Sequence, residues 1–186
     1  MTPAATDPPV EPSPTDVAPT LVVTARAVGG HRWIESRLFA LTGAWSAGGD
    51  RPEARGFFSA QSAFHGWRAE QWDTRRPRSV PSPDGPPGNG WQAATDWAAA
   101  LESDLERLGV WVSVFQPALL VGYRRHLGAL APAADAGLGR WLGLALDDAT
   151  SGWLEGADLL TRLVVTAGDV RRLGEAETGA RARLRG

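Results

Sequence analysis

Residues 31–72 read HRWIESRLFALTGAWSAGGDRPEARGFFSAQSAFHGWRAEQW. Ile34, Leu38, Leu41 and Trp45 recur at three- and four-residue intervals, which is the period of a helix with one apolar side. Gly48-Gly49 then stops the pattern. Asp50 is placed to cap a second helix, with Pro52 in its first turn and Glu53 three residues beyond the cap. Phe57, Phe64, Trp67 and Trp72 give that helix its own apolar side. A link this short makes the two helices antiparallel neighbours.

Working outward, the first helix spans about 20–47, with a bend or late start at Gly29-Gly30. The second spans about 50–76 and ends at Pro77. Residues 77–90 (PRSVPSPDGPPGNG) form a connection too long for a tight hairpin. Extended, it would reach about 40 Å, enough to cross the length of a bundle. A third helical region covers about 91–130, interrupted near Gly109 and Pro117. A fourth runs from about 134 to 166. The tail from 167 to 186, rich in Arg, Glu and Gly, reads as a frayed or short helix. Residues 1–19 (MTPAATDPPVEPSPTDVAP) read as a disordered leader, because they offer almost nothing to bury. No repeat and no credible strand is present. The expected fold is therefore all-α: a four-helix bundle over 20–166 with a long crossover between helices two and three.

Composition removes several chemistries. The 186 residues contain no Cys, so disulfides, thiolate-held metals and thiol catalysis are excluded. All basic side chains are Arg, which excludes Schiff-base and P-loop lysines. The net charge of −2 gives no global basic excess of the sort nucleic-acid binders carry. The leader lacks the basic start and apolar core of a secretory signal. The longest apolar run, Val110 to Tyr123, is broken by Gln116 and Pro117, so no membrane span is expected. Cytoplasmic residence is the resulting expectation. No HExxH, GxSxG, GxGxxG or Walker sequence occurs.

Stepping about 100° per residue sorts the polar side chains. His31, Glu35 and Thr42 fall within the apolar stripe of helix one. Gln61, His65 and Arg68 do so on helix two, and His126 on the third region. Helix four presents Trp141, Leu142, Ala145, Ala149 and Trp153 inward. Its Asp147, Asp148, Ser151, Glu155 and Asp158 face outward. Counting from the Gly48-Gly49 turn puts Glu35 level with His65 and His31 level with Arg68. Buried charges need partners. A Glu35–Arg68 ion pair with His65 and Gln61 completing its hydrogen bonds satisfies that need, and His126 joins the same polar cluster. The alternative is an iron, manganese or zinc site built from His31, Glu35, His65 and His126, although Arg68 in the same layer would repel a cation.

An inward Glu on helix one, an inward His on helix two, a crossover and a second hairpin resemble the ferritin-like superfamily. That resemblance implies a di-metal centre with a Glu from each of two helices and a Glu-x-x-His from each of the others. Glu35 matches the first Glu, and His65 matches the His of helix two. Ser62 stands where the accompanying Glu belongs. Tyr123 and His126 are the nearest candidates on the third region, and Thr150 and Trp153 occupy the helix-four positions. His65-Gly-Trp-Arg-Ala-Glu70 is also similar to stretches of uncharacterised actinobacterial bundle proteins, which imply no activity.

Three functions compete on these residues. The leading one is a metal-poor binding or assembly component without a cofactor, forming a homodimer or meeting a protein partner through helix faces. The second is a non-haem metal oxidase or hydroxylase with an iron or manganese site at His31, Glu35, His65 and His126. The third is a carrier of apolar ligands in which Arg68 anchors a carboxylate. Among nine Trp, Trp67, Trp72, Trp141 and Trp153 read as core, and Trp33 as the best interface contact. The Arg75–Arg78 run and Arg181, Arg183 and Arg185 read as solvated helix ends.

Overall fold

The computed structural model describes residues 18–81, 85–131 and 134–186. Residues 1–17 of the expected leader lie outside them. Among the described residues the fold consists of six continuous helical rods, and no strand occurs. They are α1 (Ala18–Gly48), α2 (Pro52–Thr74), α3 (Asn89–Ala99), α4, α5 (Ala136–Leu163) and α6 (Ala167–Arg185). Rod α4 joins Asp104–Val110, a π-helical stretch Trp111–Phe115 and Gln116–Ala129 without a gap. The all-α class is as expected. The count of four helices is not: α3 separates from the third region, and the tail is a helix in its own right.

The α1–α2 hairpin carries the most extensive packing in the molecule. A Cβ at Gly43 would meet Ser62 Oγ, and one at Gly66 would meet Phe39. Lower down, Glu35 meets Arg68. These pairings descend along one strand of sequence while rising along the other, which is the antiparallel register read from the link. Val28, Ile34, Leu38, Leu41 and Trp45 are buried on α1, as are Phe58 and Trp72 on α2. Second-half residues of α4 pack on α5, and its first half packs on α6, which also covers α3. One apolar core runs through all six rods.

Several local expectations are corrected, each for a physical reason. Helix α1 continues through Gly29-Gly30, and both glycines are buried. A Cβ on Gly30 would stand 3.1 Å from Pro87 Cβ, so the missing side chain makes room for the crossing segment and does not break the helix. Asp50 does not cap α2. Asp104, from α4, accepts the backbone N–H groups of Asp50 and Arg51 at 2.9 and 2.8 Å and also holds Arg107. The third region breaks at residues 100–103, between α3 and α4, and not at Gly109 or Pro117.

Gly109 lies where the side chain of Leu173 presses on α4. Pro117 has no N–H for the Ser113 carbonyl, and Arg181 of α6 donates to that carbonyl instead at 3.0 Å. The preceding turn widens into the π form, with Gln116 N–H reaching Trp111 O. The tail is ordered by a capping box, in which Thr166 Oγ1 accepts from Asp169 N–H and Asp169 accepts from Thr166 N–H. Ala176 and Ala180 then enter the core.

No helix among the described residues is long and apolar enough to cross a membrane.

Candidate functional site

Glu35 is fully buried and its carboxylate receives three donors. Arg68 Nε donates to Oε1 at 2.7 Å, His65 Nδ1 lies 2.5 Å from Oε2, and the Tyr123 hydroxyl donates to Oε1. The antiparallel hairpin delivers the first two, because His65 and Arg68 sit three residues apart on the face of α2 that meets α1. Rod α4 delivers Tyr123. Behind it, Trp72 Nε1 donates to the Tyr123 oxygen at 3.0 Å.

The tautomer of His65 follows from its neighbours. Trp111 Nε1 can only donate, and it lies 3.3 Å from His65 Nε2, which must therefore accept. The ring proton is then on Nδ1 and points at Glu35. Arg68 Nη2, 2.9 Å from the same Nδ1, makes a packing contact there and not a hydrogen bond. Arg68 instead uses Nη1 on Asp148 of α5, whose side chain is one-third exposed.

The electrostatics agree with this reading. Burial pushes the Glu35 carboxyl up, but Arg68, then His65 and the hydrogen bonds from His65 and Tyr123, outweigh it and hold the group down at about 2. Burial lowers the His65 pKa despite Glu35 beside it, so the imidazole is neutral at pH 7. The Arg68 guanidinium is held charged: burial opposes this, but Glu35 prevails. Burial and the Glu35 charge raise the Tyr123 phenol well above its ordinary value. Glu35 is thus an ionised acceptor with its donors in place. It is neither exposed nor basic enough to abstract a proton near neutrality.

Of the expected cluster, Glu35, His65 and Arg68 come together as anticipated. Gln61 and His126 do not join it. Gln61 is buried against Gly152 of α5, and its Nε2 has no hydrogen-bond partner among the described residues. His126 stacks on His31 at 5.2 Å between ring centroids and on Trp72 at 6.1 Å. Tyr123, one turn earlier on α4, takes the place expected for His126. Asp148, expected on the outer face of helix four, closes the network. Its signal lay in Arg68, whose five N–H donors exceed what one shared carboxylate accepts.

The residues do not fit the metal centre that the ferritin-like resemblance implies. Among the described residues no group of three or more His, Asp or Glu is arranged to hold an ion. His31 and His126 form a separate aromatic tier: His31 lies 4.8 Å from Tyr123 and 4.9 Å from Trp72, ring to ring. His65 Nε2, the nitrogen left for a metal, is covered by the Trp111 N–H. Of the tryptophans, Trp72 and Trp141 are core as expected, but Trp67 is 46% exposed. Trp33, expected outside, is half-buried against the core.

In comparisons with known proteins, the chain matches no family model, no curated protein and no solved structure. The fold supports the coarser statement, an all-helical protein, and the finer likeness rests on the residues quoted above.

Proposed function

We propose that this chain is a binding or assembly component, ferritin-like in plan, in which a self-satisfied Glu35–His65–Arg68–Tyr123 cluster stands where relatives of that plan would hold metal. The observation that carries this reading is the carboxylate of Glu35, fully buried with three donors on its two oxygens. A buried charged network of this kind fixes the register of the elements that supply it. Here it pins α1, α2, α4 and, through Asp148, α5. Phe39 and Trp67, both nearly half exposed, border one groove on the α1–α2 hairpin and offer apolar contacts for a homodimer or a protein partner. The test is elemental analysis of the full chain purified from cells grown with added iron and manganese. The expected result is far less than one ion per chain. Stoichiometric iron or manganese that disappears in His65→Ala would overturn the proposal.

A further inference from the structure

A cavity of about 530 Å³ lies between α1, the second half of α4, the Pro87-Gly88 segment and the end of α6. Its volume falls in the range of small-molecule sites, about 300–1,000 Å³. Most of its wall is apolar, including Val23, Ile34, Trp91 and Leu119; among the described residues no acidic residue lines it, and its one charged residue is Arg125, which is exposed to solvent. The wall also contains His31 and His126, each 8% exposed. His31 Nε2 and both ring nitrogens of His126 are buried without a hydrogen-bond partner among the described residues.

This contrasts with the Glu35 cluster, where every charged group is paired. Buried polar atoms are nearly always hydrogen-bonded, and each orphan costs about 1–3 kcal/mol. Three orphan nitrogens on two stacked rings at the edge of one cavity therefore call for a partner. Gly122 lines the same wall beside His31: a Cβ there would lie 3.5 Å from His31 Cε1.

We propose that this cavity binds an amphipathic small molecule with an apolar body and an uncharged hydroxyl head, of the alkylphenol or alcohol class, with the head hydrogen-bonded to His31 and His126. A hydroxyl donates one bond and accepts another, which suits two neutral imidazoles. Burial holds both rings neutral at pH 7. Arg68 is not part of this site. It is 1% exposed, paired with Glu35 and Asp148, and absent from the cavity wall, so it does not serve as the carboxylate anchor expected of it. The site is separate from the Glu35 cluster, and its test stands whatever the metal measurement returns.

The experiment is calorimetric titration of the full chain with para-butylphenol, butylbenzene and para-butylbenzoate. Para-butylphenol is expected to bind one to one and about tenfold more tightly than butylbenzene, the factor one good hydrogen bond supplies. It should shift the ring-nitrogen NMR signals of His31 and His126, whereas butylbenzene should not. His126→Phe should bring the two affinities within about twofold of each other. Gly122→Leu should abolish binding while the thermal melt confirms folding. If that variant does not fold, Ala118→Leu, on the same wall, serves instead. Three results would overturn the proposal: no binding, equal binding of the phenol and the hydrocarbon to the native chain, or undiminished binding to the filled variant. Tighter binding of the benzoate would overturn the uncharged head.

Discussion

Replacing Glu35 with Gln keeps the shape of the side chain and removes its charge. The remaining carbonyl oxygen can still accept from Arg68 Nε and Tyr123, but the new amide N–H₂ faces the His65 Nδ1 proton, donor against donor. His65 cannot escape by moving its proton to Nε2, because the Trp111 N–H already points there. The magnitude follows from linkage. The carboxyl pKa falls from its ordinary 4.5 to about 2 on folding, and each pKa unit corresponds to 1.36 kcal/mol, so the ionised form contributes about 3 kcal/mol at pH 7. Because the folded pKa is depressed, this stability is fully present well above 4.5 and is lost as pH falls toward 2. The linkage relation gives losses of about 1 kcal/mol at pH 4 and about 2 kcal/mol at pH 3.

Urea unfolding of the native chain and of Glu35→Gln, from pH 7 to pH 3 with sucrose added to keep both folded in acid, reads this directly. Groups that do not sense Glu35 titrate equally in both proteins and cancel in the difference, whereas His65 and His31 lose its upward pull in the variant. The expected difference is about 3 kcal/mol at pH 7, shrinking to about 1 kcal/mol at pH 3. A difference below 1 kcal/mol at neutral pH, or one that stays constant down to pH 3, would refute the claim that an ionised Glu35 holds these helices together.

Three further outcomes are expected. Burial, then the nearby His126, lowers the His31 pKa from 6.5 to about 3, against a smaller upward pull from Glu35. Its stabilising share is therefore present above pH 6.5 and lost as pH falls toward 3, amounting to about 2 kcal/mol between pH 7 and pH 5, and His31→Phe should flatten the stability curve by that amount. Asp104→Ala should cost about 1–2 kcal/mol in urea unfolding, as the loss of a helix cap does, whereas Asp50→Ala should stay within about 0.5 kcal/mol. At Gly90 a Cβ would stand 2.3 Å from the Leu184 carbonyl oxygen, so Gly90→Ala should loosen α6 and expose its Arg-rich end to limited trypsin digestion, while the native chain resists.

What could be read from the sequence depended on how tightly the chain itself fixes register. Between α1 and α2 only three residues intervene, so counting matches Glu35 to His65, and the need of a buried charge for a partner matches it to Arg68. Nothing local sets α4 against that hairpin, since a long connection and the separate α3 come between. A slide of one turn exchanges Tyr123 for His126, and the sequence could not choose between them. The Asp148 assignment failed for another reason. A helical wheel sorts positions by where the Cα–Cβ bond points, whereas Arg68 is long enough to meet a carboxylate at the edge of the next helix. Gly109 and Pro117 read as breaks because local propensity was applied without tertiary contacts. Leu173 and Arg181, both from α6, occupy the space and the free carbonyl that those residues create. The same helix reads from the sequence only as a frayed or short one because its buried face is mostly alanine. Thr166 and Asp169 carried the visible signal, a capping pair three residues apart.

The two polar groups in the interior answer different questions, although both contain histidine. Around Glu35 each charge has its counter-charge, and the His65 tautomer is dictated from both sides. Adding a ligand there would first require breaking bonds already made, so selection for binding would have left the carboxylate less crowded. The His31 and His126 rings stack on each other, both lie against Trp72, the edge of Tyr123 meets His31, and both residues line the cavity. A core that needed only aromatic filler at those positions would be better served by Phe, which packs the same way and carries no nitrogen to desolvate. Imidazole is the costlier choice unless something outside the polypeptide completes its hydrogen bonds. The chemistry of this chain is therefore to be sought at the unsatisfied pair, with the Glu35 cluster as the fixed frame that positions α1 against α4 and holds the cavity between them open.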